Sequence, residues 1–386
     1  MTEPYYSGAN KPNTDRKVAP INNRTSKPTV KPDSTFYTVF SPSEGQAYAH
    51  HPSICDFDGK LYAIWSVGIK NEDDCGQKVM ISSSADGENW SEPKNLITPA
   101  EIGTSKTVLT ACGLYSDGKT LHVYFGKYDY SVVGEDGFRL PGDCNHVGAE
   151  LYCISSSDGV NWDAPKSMKM PIISNHPPVK TASGKLILPA SVTFPYTNDL
   201  SGQDGWVVTG IYGDAFKDRP VVDDSESIHY VTKFNGWNCN LICEGSLLQA
   251  DDGTLRMLLR SNSDYMWISE SYDDGESWTA PQKTRFTNGN TKFHFGKLPS
   301  GKFYCINNSV ISNDRYPLNL HLSDDGINFD QSYILRDEPY EIKYRGLYKG
   351  GAYAYPHSAV WKDCLYVIYS KCKETIEVTK LDLKNL

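Results

Sequence analysis

Short apolar runs alternate with polar turns along the chain, and one such pattern returns six times. Each copy has a small or polar residue, an apolar run, a turn most often of Asp-Gly or Ser-Gly type, and a second apolar run. The copies span 51–65, 112–124, 176–188, 244–258, 294–304 and 357–366. Runs of this length between Gly- and Asp-containing turns predict β-hairpins. A second pattern follows four of them: Ser-Tyr-Asp-Asp-Gly-Glu-Ser-Trp at 271–278, with shorter relatives at 84–90, 157–162 and 323–329, each closed by Trp or Phe.

Self-similarity at this spacing marks a repeat architecture. Hairpin plus turn supplies four antiparallel strands per unit, which predicts an all-β, six-bladed β-propeller, a radial arrangement that limits exposed sheet edges. The third unit lacks the second turn and carries a long polar segment, 194–227, predicted to be a loop over one face. Seven blades is the alternative, if that segment hides another unit. The last unit stops after three strands, so residues 36–40 are expected to close the ring as its fourth. Residues 1–34, rich in Pro, Asn, Thr and Lys, predict a flexible N-terminal arm; residues 35–386 predict a single propeller domain. Asp86, Asp158, Asp273 and Asp325 are expected to hold turns rather than do chemistry, because Asp side chains in such turns accept backbone hydrogen bonds.

Net charge of -9 argues against a nucleic-acid partner. There is no run of 18 apolar residues and no apolar leader segment, so neither a membrane span nor a signal peptide is expected. As written the chain predicts a cytoplasmic protein, or a secreted or periplasmic one if a leader was removed. The ten cysteines are scattered, and Cys239 and Cys243 have no second pair to complete a zinc site. Reduced, buried thiols are the expectation.

The four turns resemble the Asp-box (BNR repeat) of sialidases and related propellers, and 271–278 is the closest match. The resemblance covers about residues 45–386. It implies that Arg260 and Arg315 correspond to two of three substrate-binding arginines, that Glu244 assists a tyrosine nucleophile at Tyr355 or Tyr353, and that Asp73 or Asp74 is the acid/base. The first blade departs from that pattern, because His50-His51-Pro52 stands where sialidases have Arg-Ile-Pro. The Phe-Arg-Leu-Pro run at 138–141 comes after the first Asp-box. The His-Pro opening resembles propellers that act on rhamnosyl-glucuronate ends of plant glycans and, less closely, ulvan lyases.

Read around the ring, the residues opening the hairpins are His51, Cys112, His176, Glu244, His294 and His357, expected to face one mouth of a central channel. Four of the nine histidines fall at this position. Imidazoles there suit acid, base or metal-ligand roles, and a guanidinium matches a carboxylate with two hydrogen bonds. The expected function is cleavage of a glycosidic bond at a carboxylated sugar, as a uronate-type lyase or a glycosidase. His51, Tyr355, Glu244, Asp73 and Asp74 are the candidate catalytic residues. His50, His176, Arg260, His294, Arg315, Tyr353 and His357 are the candidate substrate-binding residues. The alternatives are an exo-sialidase and a non-catalytic glycan-binding propeller. The expected partner is an acidic oligosaccharide or glycan; no cofactor is expected, with a bound cation left open.

Overall fold

Two-residue turns set the hairpins. Phe57 pairs with Lys60 across Asp58 and Gly59, whose φ values are 45° and 72°. This is the type I′ arrangement, whose twist matches that of the strands it joins. Lys362 and Asp363 (φ 47° and 60°) repeat it between Trp361 and Cys364. The structure is a computed structural model describing residues 5–6, 17–23, 28, 30–141, 146–211, 231–234, 237–311 and 314–386. Six sheets form the six blades of a β-propeller. The one α-helix among the described residues, Pro99–Ile102, is a single turn.

The chain divides into two compact units, residues 1–31 with 174–337 and residues 32–173 with 338–386. The second unit holds blades 1, 2 and 6. Blade 1 runs Tyr48–Phe57, Lys60–Gly68, Lys78–Ser84 and Lys94–Ile97; blade 2 runs Thr107–Ser116, Leu121–Tyr130, His146–Ser156 and Lys166–Ser167. Blade 6 is Tyr353–Trp361, Cys364–Lys371 and Thr375–Asp382, with Ser34–Phe40 antiparallel along its outer edge, so the N-terminal strand closes the last sheet as the sequence predicts. Apolar faces meet between blades: Trp65 and Ala63 pack with Tyr366, Ile368 and Phe40, and Ile64 and Ile81 pack with Leu109 and Phe125.

The first unit holds blades 3, 4 and 5. Blade 3 is built of two-residue strands, Val179–Lys180, Leu186–Ile187, Tyr196–Thr197 and Val207–Val208. The last two lie in the segment predicted as a loop, and this is a correction. Asp199 takes the turn role there, accepting from the backbone N–H of Ser201, Gln203 and Asp204. The described part of the segment adds two strands to this one sheet, and with six sheets in all the seven-blade alternative falls; residues 212–227 lie outside the described residues. Blade 4 contains Trp237–Gln249, Leu255–Arg260, Tyr265–Ser271 and Gln282–Thr287, and blade 5 contains His294–Lys297, Phe303–Asn307, Leu318–Ser323 and Gln331–Arg336. Part of the predicted arm is also corrected. Ile21 is fully buried with Phe286, Phe295 and Phe329, and Asn22 exchanges backbone hydrogen bonds with Ile327 and Phe329. Residues 1–4, 7–16, 24–27 and 29 of that arm lie outside the described residues.

The aspartates of the repeated turns do what the sequence predicts. Asp86 Oδ1 accepts the backbone N–H of Glu88 and Asn89 at 2.9 and 2.8 Å, and Asp158 does the same for Val160 and Asn161. These bonds hold both carboxyls well below the usual range. Burial works against ionisation of Asp325, yet bonds from Asn328 and Ile327 still bring it down to about 2. The turn also reaches its neighbour. A Cβ at Gly159 (φ 69°) would come within 2.2 Å of the Tyr62 hydroxyl of blade 1, so only glycine fits there. The eight cysteines whose side chains are described are free thiols; Cys144 and the Cys239 side chain lie outside the described residues.

Candidate functional site

Successive residues of a regular strand point to opposite faces, so His50 and His51 should face apart. They do not, because the innermost strand of blade 1 is bulged there. Its register shifts between His50 and Ser53, and His51 adopts φ 55°. The ring centroids are 4.6 Å apart. The same device recurs in other inner strands. The register shifts between Ala111 and Gly113 in blade 2, between Cys243 and Gly245 at Glu244 (φ 43°), and between Ala354 and His357 at Tyr355 (φ 56°). A bulge re-aims a side chain, and left-handed backbone at a residue with a Cβ stores strain that the surrounding structure must support. The equivalent position in blade 6 is therefore Tyr355, not His357, a correction that arises because the bulge inserts an extra residue. His176 lies outside any strand, and His294 is in regular register with Ile306.

In the second unit these bulges bring together a cluster. The Tyr355 ring lies 4.1 Å from that of His50 and 5.2 Å from that of His51, and all three are buried. His50 Nδ1 is 2.6 Å from Ser370 Oγ, which in turn donates to the Ala354 carbonyl at 3.4 Å. This puts a proton on Nδ1 and aims Nε2 at Glu72, whose Oε1 is 3.9 Å away. The other Glu72 oxygen is paired with Lys373 Nζ at 2.5 Å, and Lys373 also donates to the Tyr348 carbonyl. Tyr48 packs on His50 at 6.1 Å. Burial, with help from Glu72 and Asp73, pushes its hydroxyl well above the ordinary tyrosine range.

The loop at 72–74 separates its two candidate acids. Asp74 is fully buried and accepts the backbone N–H of Arg139 at 2.9 Å and of Asn71 at 3.3 Å on its two oxygens. Burial raises its carboxyl above the usual range against those bonds. Its two oxygens thereby clamp the loop to Arg139 and Asn71. Asp73 is half-buried at φ 54°, bonded to Gln77, with its carbonyl accepting from the Tyr130 hydroxyl. Arg139, from the run after the first Asp-box, packs on this loop. Nη1 donates to the Glu72 carbonyl at 2.9 Å, and the guanidinium lies over the Tyr348 ring at 4.5 Å. His146 adjoins Tyr128 and Tyr130 at 4.2 and 5.1 Å. Sequence reasoning missed Glu72, Arg139, His146 and Lys373 as contributors to this region.

The remaining candidates in this unit are engaged in packing. Tyr353 donates to Glu338 and meets Tyr369 edge-on. His357 Nδ1 accepts the Ile54 N–H at 3.3 Å, which leaves its proton on Nε2.

In the first unit, Arg260 Nη1 donates to Glu244 Oε2 at 2.7 Å and Nε donates to Asn290. These two candidates thus form an ion pair across adjacent strands of blade 4, each other's charge partner. His176 stacks on His294 at 5.3 Å and lies 2.9 Å from the Phe293 carbonyl through Nε2. Desolvation, with Lys292 nearby, lowers His294 to about 3 and keeps it neutral. Arg315 is half-buried at φ 52°, at the entry to Leu318–Ser323.

Comparison with known proteins follows the fold. The profile of the BNR repeat-like domain matches residues 59–368. No curated protein matches the chain significantly. Among solved structures, a sialidase superposes with a TM-score of 0.63 at 16% identity, covering 98% of this chain and 35% of its own length. The chain therefore spans about a third of that protein. The intramolecular trans-sialidase from Ruminococcus gnavus, in complex with oseltamivir carboxylate, gives 0.63 at 12% identity, covering 91% of this chain and 98% of that one. The Trypanosoma rangeli sialidase in complex with sialic acid gives 0.59 at 14%, covering 92% and 60%. Identities this low establish the sialidase-like propeller fold. With more than half of its length matched by the profile, the chain belongs to the BNR repeat-like domain family.

Proposed function

We propose that this protein is a carbohydrate-active enzyme that cleaves a glycosidic bond at a uronate in an acidic oligosaccharide, by elimination. The observation that carries the reading is Tyr355, held on left-handed backbone against both imidazoles of His50 and His51. A phenol flanked by imidazoles suits proton transfer, and burial strengthens every charge interaction around it. In the reaction, Tyr355 as phenolate takes the C5 proton of the uronate. The electron pair moves toward the sugar carboxylate, the C4–O bond breaks, and the same phenol returns its proton to the departing oxygen. The imidazoles orient the phenol. The structural neighbours named above include proteins bound to sialic acid and to oseltamivir carboxylate, and these support an acidic sugar as ligand.

A second reading, an exo-sialidase, draws on the same tyrosine as nucleophile with Asp73 as acid. Incubation with a panel of uronate oligosaccharides and sialosides separates the two. Growth of the ultraviolet absorbance of an unsaturated uronate supports elimination, whereas release of free sugar without it selects hydrolysis. Binding to an acidic glycan with no turnover on any member would overturn both and leave a glycan-binding propeller.

A further inference from the structure

We infer that His50, His51 and Glu72 form a three-ligand site for a divalent cation of the zinc class. The inference goes beyond the proposed reaction and holds whether or not the chain cleaves a glycan. One donor atom from each residue lies within 4.8 Å of the other two. His50 Nε2 and Glu72 Oε1 are 3.9 Å apart, too far for a hydrogen bond. With His50 protonated this is an ion pair; with His50 neutral, a cation between the imidazole nitrogen and the carboxylate oxygen is what holds them at that spacing. Metal bonds of about 2.0–2.1 Å put tetrahedral donors about 3.4 Å apart. Closing the His50–Glu72 pair therefore needs about half an ångström, and the pairs with His51 at most about 1.4 Å, within reach of side-chain rotation.

Three features show that the arrangement is built. The bulge at His51 turns neighbouring residues to the same side, at the expense of left-handed backbone. The far nitrogen of His50 is fixed by Ser370, the outer hydrogen bond that metal-binding imidazoles ordinarily have. Lys373 holds Glu72 Oε2 and leaves Oε1 directed at His50, so the carboxylate binds through one oxygen. Two imidazoles and one carboxylate with a vacant fourth position is the donor set of an open zinc site.

The test is titration of the full, chelator-treated chain with Co²⁺ as a spectroscopic substitute, followed by displacement with Zn²⁺. The expected result is one Co²⁺ per chain with the visible absorption of a low-coordinate nitrogen and oxygen site, and no thiolate-to-cobalt charge-transfer band. His51→Asn, chosen because Asn tolerates positive φ, and Glu72→Gln should each weaken binding by about tenfold or more. Zn²⁺ should raise the Tm of the parent chain and not that of the variants. Ser370→Ala, which touches no donor atom, should retain the site with lower affinity. Absence of stoichiometric binding, a thiolate band, or binding untouched by both ligand variants would overturn the inference.

Discussion

The rings of His50 and Tyr355 lie 4.1 Å apart, centroid to centroid, at an interplanar angle of 42°. They come from strands of different blades, and both blades are bulged where they meet. Tyr355→Phe keeps the ring and its packing but removes the hydroxyl. Turnover of the acidic glycan should fall by about 10²–10⁴-fold, the usual share of a proton-transferring group. Substrate binding and Tm should change little. A variant with parental kcat would remove Tyr355 from the chemistry.

Gly159 and Gly118 make a controlled pair, since both have positive φ (69° and 90°), but only Gly159 faces a neighbour. Gly118→Ala should show the backbone cost alone, about 1 kcal/mol. Gly159→Ala adds a clash with the Tyr62 hydroxyl and should cost about 2–4 kcal/mol in total. Thermal unfolding of the two variants side by side reads the difference; equal shifts would mean the turn does not bear on the next blade.

His321 gives the fold an acid sensitivity. Burial lowers it to about 3, and its Nδ1 is 2.7 Å from Ser332 Oγ, so the folded chain keeps it neutral. An unfolded histidine protonates near pH 6.5. Between those values the unfolded chain binds a proton that the folded chain refuses, so stability falls as pH drops from about 6.5 toward 3 and is unaffected above that window. Comparing Tm at pH 7 and pH 5 for the parent and His321→Gln should show a smaller drop in the variant.

Lys349 and Glu374 form a buried ion pair at 2.8 Å, and Glu374 also accepts the backbone N–H of Lys343 and Tyr344. Glu374→Gln leaves the lysine charge buried without its counter-charge, a loss of about 3–5 kcal/mol. Hydrogen exchange should accelerate at the amides of residues 343 and 344 first. Unchanged exchange there would show that the loop is held by other contacts.

The blade count and the turn aspartates were legible because both are written locally, in Asp-Gly steps and a closing aromatic. The closing strand was legible from counting, since the last unit stops one strand short. The outer strands of blade 3 were not, because pairs as short as Tyr196–Thr197 have no room for alternation. The site was half legible. His51 stands at a recurring position and Tyr355 was reached through the family resemblance, but the bulge that makes them face each other is a property of backbone register. Glu72 and Lys373 are separated by 301 residues, and no local pattern joins them. At Asp74 the sequence shows a carboxylate and hides the two amides that bond to it.

The strand Ser34–Phe40 is paired along one edge by Thr375–Asp382. A ribosome makes the first of these more than 300 residues before it finishes the second, which at about 5–20 residues per second is a wait of roughly 15–70 s. Through that interval the N-terminal strand is a β-edge without its partner, and such an edge is a template for pairing with any other chain. The interval in which this edge waits is thus set by the topology and not by the stability of the finished fold.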